Sequence, residues 1–188
     1  MVSSHETTRR TLPFGPVLIL SAVALISVNL RPGATSLGPL LEEVRAALGL
    51  GGTLAGVLTA LPGLAFAAAG GAAVGLARRV GVSAGITLGV VAVVVTLIAR
   101  VLTDSAAVFL VLTALGLAGM GLGNVLVPAW IKAHSHDGGV RLMTIYGMGL
   151  TIGGTAGPLL AAPVAASAPG GWRGALGMWG VVALAALV

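Results

Sequence analysis

Six polar side chains stand alone within otherwise apolar stretches of this chain: Asn29, Arg31, Asn124, Tyr146, Thr151 and Thr155. A polar or ionisable group held in hydrocarbon is costly, so such positions mark pathways, relays or ligand contacts by default. Arg31 is the sharpest case. Its guanidinium offers a permanent charge and several donors to an anion, whereas Asn and Tyr side chains can position a neutral solute. The competing reading is an anchor, with Arg31 snorkelling to a nearby interface. The surrounding stretch, "NLRPGATSLGP" at 29–39, bears on the choice. On a regular helix positions 29 and 31 point about 200° apart, so both cannot face one cavity. Pro32 cannot donate to the Val28 carbonyl and is able to distort that turn. Either one residue faces a pathway while the other locks a neighbouring helix, or the turn is irregular and presents both.

Other chemistries find little support. The chain has no cysteine, which excludes disulfides, thiolate metal sites and thiol catalysis. Its two aspartates, Asp104 and Asp137, fall in loops, and no HExxH pattern occurs, so intramembrane proteolysis lacks its reacting groups. "HSHD" at 134–137 sits in a short polar loop without a further nearby ligand. "GLAGMGLGN" at 116–124 lacks the preceding strand and the later acid of a dinucleotide loop, and fits a smooth helix-packing face instead. The expectation is a protein that is not an enzyme and needs neither metal nor cofactor.

The elements that must position these residues follow from composition. Charged residues make up 8% of the chain, hydrophobic residues 57%, and the mean hydropathy is +1.08. A soluble domain carries about 25% charged residues, so the class is an all-α membrane protein in contact with the lipid bilayer. The basic residues are scattered singly and in pairs between apolar runs, which reads as topology and not as nucleic-acid binding. A crossing helix needs about 20 apolar residues, and charge-free runs predict spans at about 13–36, 53–77, 80–102, 105–131, 140–164 and 172–188. Residues 1–12 form an amino-terminal tail, and an uncleaved first helix is expected in place of a secretory signal. The last run, Trp172–Val188, holds 17 residues, about 25 Å of helix. The sequence therefore predicts a chain cut within its sixth helix.

Arg9, Arg10, Arg78, Arg79, Lys132 and Arg141 fall on one side of that arrangement. Arg45, Arg100 and Arg173, with Glu42, Glu43 and Asp104, fall on the other. The bias puts the amino terminus in the cytoplasm of a cell carrying the protein in its cytoplasmic membrane. In the fifth span Gly149, Gly153 and Gly157 recur every fourth residue and make one bare stripe. Another helix can approach it closely, and Pro158 bends the helix beyond it. The stripe serves as packing, as a flexing point, or as both.

Several blocks stand in order along the chain: "NLRPGATSLGPLL" (29–41), "LGL" (48–50), "GVLTALP" (56–62), "LARRVG" (76–81), "GNVLVPAWIK" (123–132), "MTIY" (143–146) and "GWRGALGMW" (171–179), with Arg100 ending the third helix. Together they resemble the major facilitator superfamily, within it the branch of cyanate permeases and 2-nitroimidazole transporters. Nearly the whole chain is covered. There are departures: Arg78 stands where the superfamily has an aspartate, Leu115 replaces its fourth-helix arginine, and Ala161 and Ala162 replace the closing glycines of the exporter pattern. These leave transport direction open.

The resemblance implies six transmembrane helices forming the amino-terminal half of a two-half fold, with solute held between halves near the midplane. It implies secondary transport by alternating access of a small polar or anionic solute such as cyanate or a nitroimidazole-like compound. Asn29, Arg31, Asn124 and Tyr146 would line the pathway. Pro32, Arg78, Arg79, Gly149, Gly153, Gly157 and Pro158 would serve packing and conformational change. The partner would be the missing six-helix half or a second copy, with protons a candidate coupling ion. The rival expectation is a six-span fragment or interaction protein that assembles with a partner half and transports nothing.

Overall fold

A computed structural model describes residues 15–135 and 139–187. The tail at 1–12, the opening of the first predicted span at 13–14, the loop residues His136 and Asp137, and residue 188 lie outside the described residues. The fold is all-helical: α1 (Pro16–Asn29), α2 (Pro32–Thr35), a 3-10 turn (Gly38–Leu40), α3 (Leu41–Leu48), α4 (Gly52–Val80), α5 (Val82–Val101), α6 (Ala106–His134), α7 (Val140–Ser167) and α8 (Trp172–Leu184). Among the described residues five segments are long and apolar enough to cross a membrane: Val17–Leu48, Gly52–Val80, Val82–Val101, Ala106–His134 and Val140–Ser167. α8 is shorter, with 13 residues.

The outer surface explains the composition. Val17, Leu64, Leu102, Val140, Leu159 and Val181 are each more than 60% exposed, a surface suited to lipid and not to water. Lipid also removes the hydrophobic gain from helix–helix contact, so association rests on close packing of small residues. The chain supplies them. Gly89 of α5 and Gly119 of α6 bring two backbones together, and a Cβ on Gly119 would stand 2.6 Å from the Gly89 oxygen. Gly121 of α6 admits Ala69 and Phe66 of α4 in the same way. Gly180 of α8 seats against Ile98 of α5.

Local signals set the ends. The Ser105 hydroxyl accepts from the Val108 amide and caps α6. A single residue, Gly81 at φ +88°, reverses the chain between α4 and α5, a conformation that side chains disfavour. Arg78 and Arg79 occupy the last turn of α4, where cations suit the helix dipole. The polar link "EEVRAALGLGG" forms the short helix α3, with Val44 and Leu48 inward and Glu42 and Glu43 outward. One hydrophobic cluster joins Leu30, Val93, Leu97, Leu117, Met120 and Trp179. A second joins Leu40, Val44, Leu58, Phe109, Trp172 and Leu176.

Candidate functional site

The first predicted span is not one helix. α1 stops at Asn29, and the Leu30 amide bonds back only three residues, to the Ser27 carbonyl at 3.2 Å. Arg31 then leaves helical geometry at φ −126°, ψ −42°, and Pro32 opens α2. The cause is local: Pro32 has no N–H for the Val28 carbonyl, and a proline ring is preorganised for the first position of a helix.

α7 holds this break from one side. A Cβ on Gly149 would meet Ser27 at 2.6 Å, one on Gly153 would collide with the Val28 carbonyl, and one on Gly157 would collide with the Thr35 hydroxyl. The glycine stripe is thus a bed shaped to α1 and α2, and each of its three residues is buried. Beside it, a Cβ on Gly154 would stand 3.8 Å from that of Arg31, in ordinary contact. Pro158 faces outward, beyond the contact.

The turn is irregular, yet it does not send Asn29 and Arg31 the same way. Asn29 is buried, and its amide nitrogen donates to the Leu25 carbonyl at 2.8 Å on its own helix. Arg31 is exposed. Across from the break, Gly123 leaves room for the Leu30 side chain, and the next residue, Asn124, forms the second part of the site. The Tyr146 hydroxyl donates to the Asn124 side-chain oxygen at 3.2 Å, while the Asn124 amide donates to the Met120 carbonyl at 3.1 Å. Leu30 and Gly123 are the chain neighbours of Arg31 and Asn124, so their contact brings the helix break close to the Asn124–Tyr146 pair that joins α6 to α7. Asn29, bonded back to Leu25, serves its own helix. Thr151 likewise bonds back to the Gly147 carbonyl at 3.0 Å.

Sequence reasoning missed Arg100. Read there as a loop-side charge, it is fully buried, and both terminal nitrogens donate to the Gly33 carbonyl of α2 at 3.2 Å. The signal was its register: Gly89, Val93, Thr96 and Arg100 repeat at helical spacing, and all are buried. Arg173 was also read as topology alone. It binds Asp104 at 2.6 Å, donates to the carbonyls of Val101 and Thr103, and lies 4.5 Å from the Trp172 ring centre. Together these contacts close the end of α5.

No family model matches the chain. Among curated proteins it is 33% identical over 170 residues to the uncharacterized transporter YycB of Bacillus subtilis (strain 168), covering 90% of this chain and 42% of that protein. It is 30% identical over 160 residues to the 2-nitroimidazole transporter of Escherichia coli (strain K12), covering 85% of this chain and 40% of the other. The chain is a relative of bacterial membrane transporters. The cyanate transport protein CynX of Escherichia coli (strain K12) extends the set, at 28% over 169 residues, 90% of this chain and 44% of the relative. The chain thus spans less than half the length of the relatives it matches. The setting is a membrane crossed several times.

Proposed function

We propose that this chain forms the amino-terminal six-helix half of a secondary transporter working by alternating access. Its solute is small and polar or anionic, of the cyanate or nitroimidazole kind. The observation that carries the reading is the exposed Arg31, presented at a helix break beside the Asn124–Tyr146 pair. Broken helices within membranes are tolerated where they line a cavity or are covered by protein, and in transporters they hold the solute. An exposed guanidinium about 22 Å along the first span calls for water or a second half in place of lipid. In this reading Arg31 attracts and orients the solute, while Asn124 and Tyr146 supply a donor and acceptors.

Asn29 and the buried stripe Gly149, Gly153 and Gly157 keep the break in register on α7. Pro158 supplies flexibility, and Arg78 and Arg79 mark a cytoplasmic loop, with the amino terminus in the cytoplasm and α8 as the sixth span. A second six-helix half completes the pathway, and protons remain a candidate coupling ion. The rival reading, an assembly protein without transport, is disfavoured by the transporter relatives.

Uptake by the full-length protein tests the proposal across a panel containing cyanate, 2-nitroimidazole and other small solutes, with and without a proton gradient. Arg31→Ala should abolish uptake of the solute that the parent moves, and Arg31→Lys should recover only part of it. Full uptake by both variants at normal membrane abundance would refute the role given to Arg31.

A further inference from the structure

Among the described residues Arg100 is the one buried charge. Taking a cation out of water costs several kcal/mol unless a partner compensates it, yet among the described residues no acid does so. Glu42 pairs with Arg45, Asp104 pairs with Arg173, and Glu43 is exposed. The guanidinium spends two nitrogens on one neutral carbonyl, and its Nε is buried without a partner.

Three more buried polar atoms lack partners close to this level: Ser36 Oγ at the C-cap of α2, Thr113 Oγ1 on α6 and Trp179 Nε1 on α8. Leu97 of α5 fixes their relative height. A Cβ on Gly33 or Gly180 would touch Leu97 at 3.0 and 3.4 Å, and one on Gly116 would meet it at 3.7 Å. α5 and α2 run one way, α6 and α8 the other. Three residues onward from Leu97 stands Arg100, and three onward from Gly33 stands Ser36. Three residues back from Gly116 stands Thr113. Trp179 precedes Gly180, and Arg100 leans back toward the amino terminus of α5 to reach the Gly33 carbonyl near Leu97. Ser36, Thr113 and Trp179 thus bring three orphaned polar groups to the level of Arg100.

Each of these groups can donate, and two of them, the guanidinium and the indole N–H, can only donate. What satisfies them must accept, and what balances Arg100 must be negative. We propose that Arg100 Nε, Ser36, Thr113 and Trp179 form an internal site for a small monovalent anion of chloride size. The site is separate from the Arg31 region and lies inside the six-helix bundle. Its anion neutralises Arg100 and ties α2 to α5, α6 and α8.

The test is thermal unfolding of the detergent-purified chain in chloride, bromide or gluconate at equal ionic strength. Chloride and bromide should raise Tm saturably while gluconate leaves it unchanged. Thr113→Val keeps the shape and every charge but removes one donor. It should raise the half-saturating chloride concentration about tenfold, as expected for one lost bond to an ion. Arg100→Gln should abolish the response, and if that variant does not fold, Thr113→Val decides. Equal melting of the parent in chloride and gluconate would overturn the site. So would a chloride response unchanged by Thr113→Val, which would place the anion elsewhere.

Discussion

Two neighbouring glycines on α7 separate packing at the helix break from any general effect of added methyl groups. At Gly153 a new Cβ would collide with the Val28 carbonyl oxygen and stand 3.0 Å from the Val28 carbon and 3.2 Å from Pro32 Cδ. Two of those atoms are backbone, and the third belongs to a rigid ring, so none can swing aside. At Gly154 the same methyl would meet only Arg31 Cβ and Cγ, at 3.8 and 3.9 Å. Both substitutions gain about 1 kcal/mol of helix propensity, which cancels in the comparison. Overpacking costs about 1–3 kcal/mol, so Gly153→Ala should be less stable than Gly154→Ala by that amount. For a chain of this size the difference is roughly 5 °C in Tm. Thermal unfolding of the two variants in one detergent measures it. If they melt together, the stripe does not hold the break as described.

Three further outcomes follow from other contacts. Tyr146→Phe removes the hydroxyl that reaches Asn124, and should cost about 0.5–1.5 kcal/mol of stability while weakening solute affinity in uptake assays. Arg173→Ala should lower stability by about 2 kcal/mol, since it strips donors from two carbonyls. Asp104→Asn should cost under about 1 kcal/mol, because that carboxylate is 95% exposed; chemical or thermal unfolding ranks the pair. Gly147→Ala, with nothing within 4 Å of the new methyl, should raise Tm by about 2–4 °C, from about 1 kcal/mol of gained helix propensity, and leave uptake unchanged.

The helical, membrane-crossing class was legible because composition alone forces it: 8% charge leaves no solvated surface. The glycine stripe was legible as a bare face, because a repeat of four maps directly onto one side of a helix. What lies on that face was not. Contact with α1 and α2 depends on tertiary packing, which no local pattern carries. The geometry at Arg31 was legible only as a pair of alternatives. Pro32 announces a distortion, but whether Asn29 turns inward depends on its bond to Leu25. Arg100 was misjudged for a physical reason. A charge at the end of an apolar run looks the same in sequence whether its side chain reaches water or folds inward to a carbonyl. The link after the first span looked polar by count, yet its apolar residues recur at helical spacing and form α3.

Water access beside Arg31 is the most direct measurement. The chain has no cysteine, so Gly154→Cys places a thiol under the Arg31 stem without altering the arginine, and Val95→Cys on the exposed face of α5 serves as the lipid-facing control. In the full-length protein, with the introduced thiol as its sole cysteine, a charged, membrane-impermeant thiol reagent should label position 154, and a transported solute should slow that reaction. Position 95 should stay unlabelled throughout. If position 154 reacts no faster than position 95, Arg31 borders no aqueous pathway and the transporter role assigned to it is wrong.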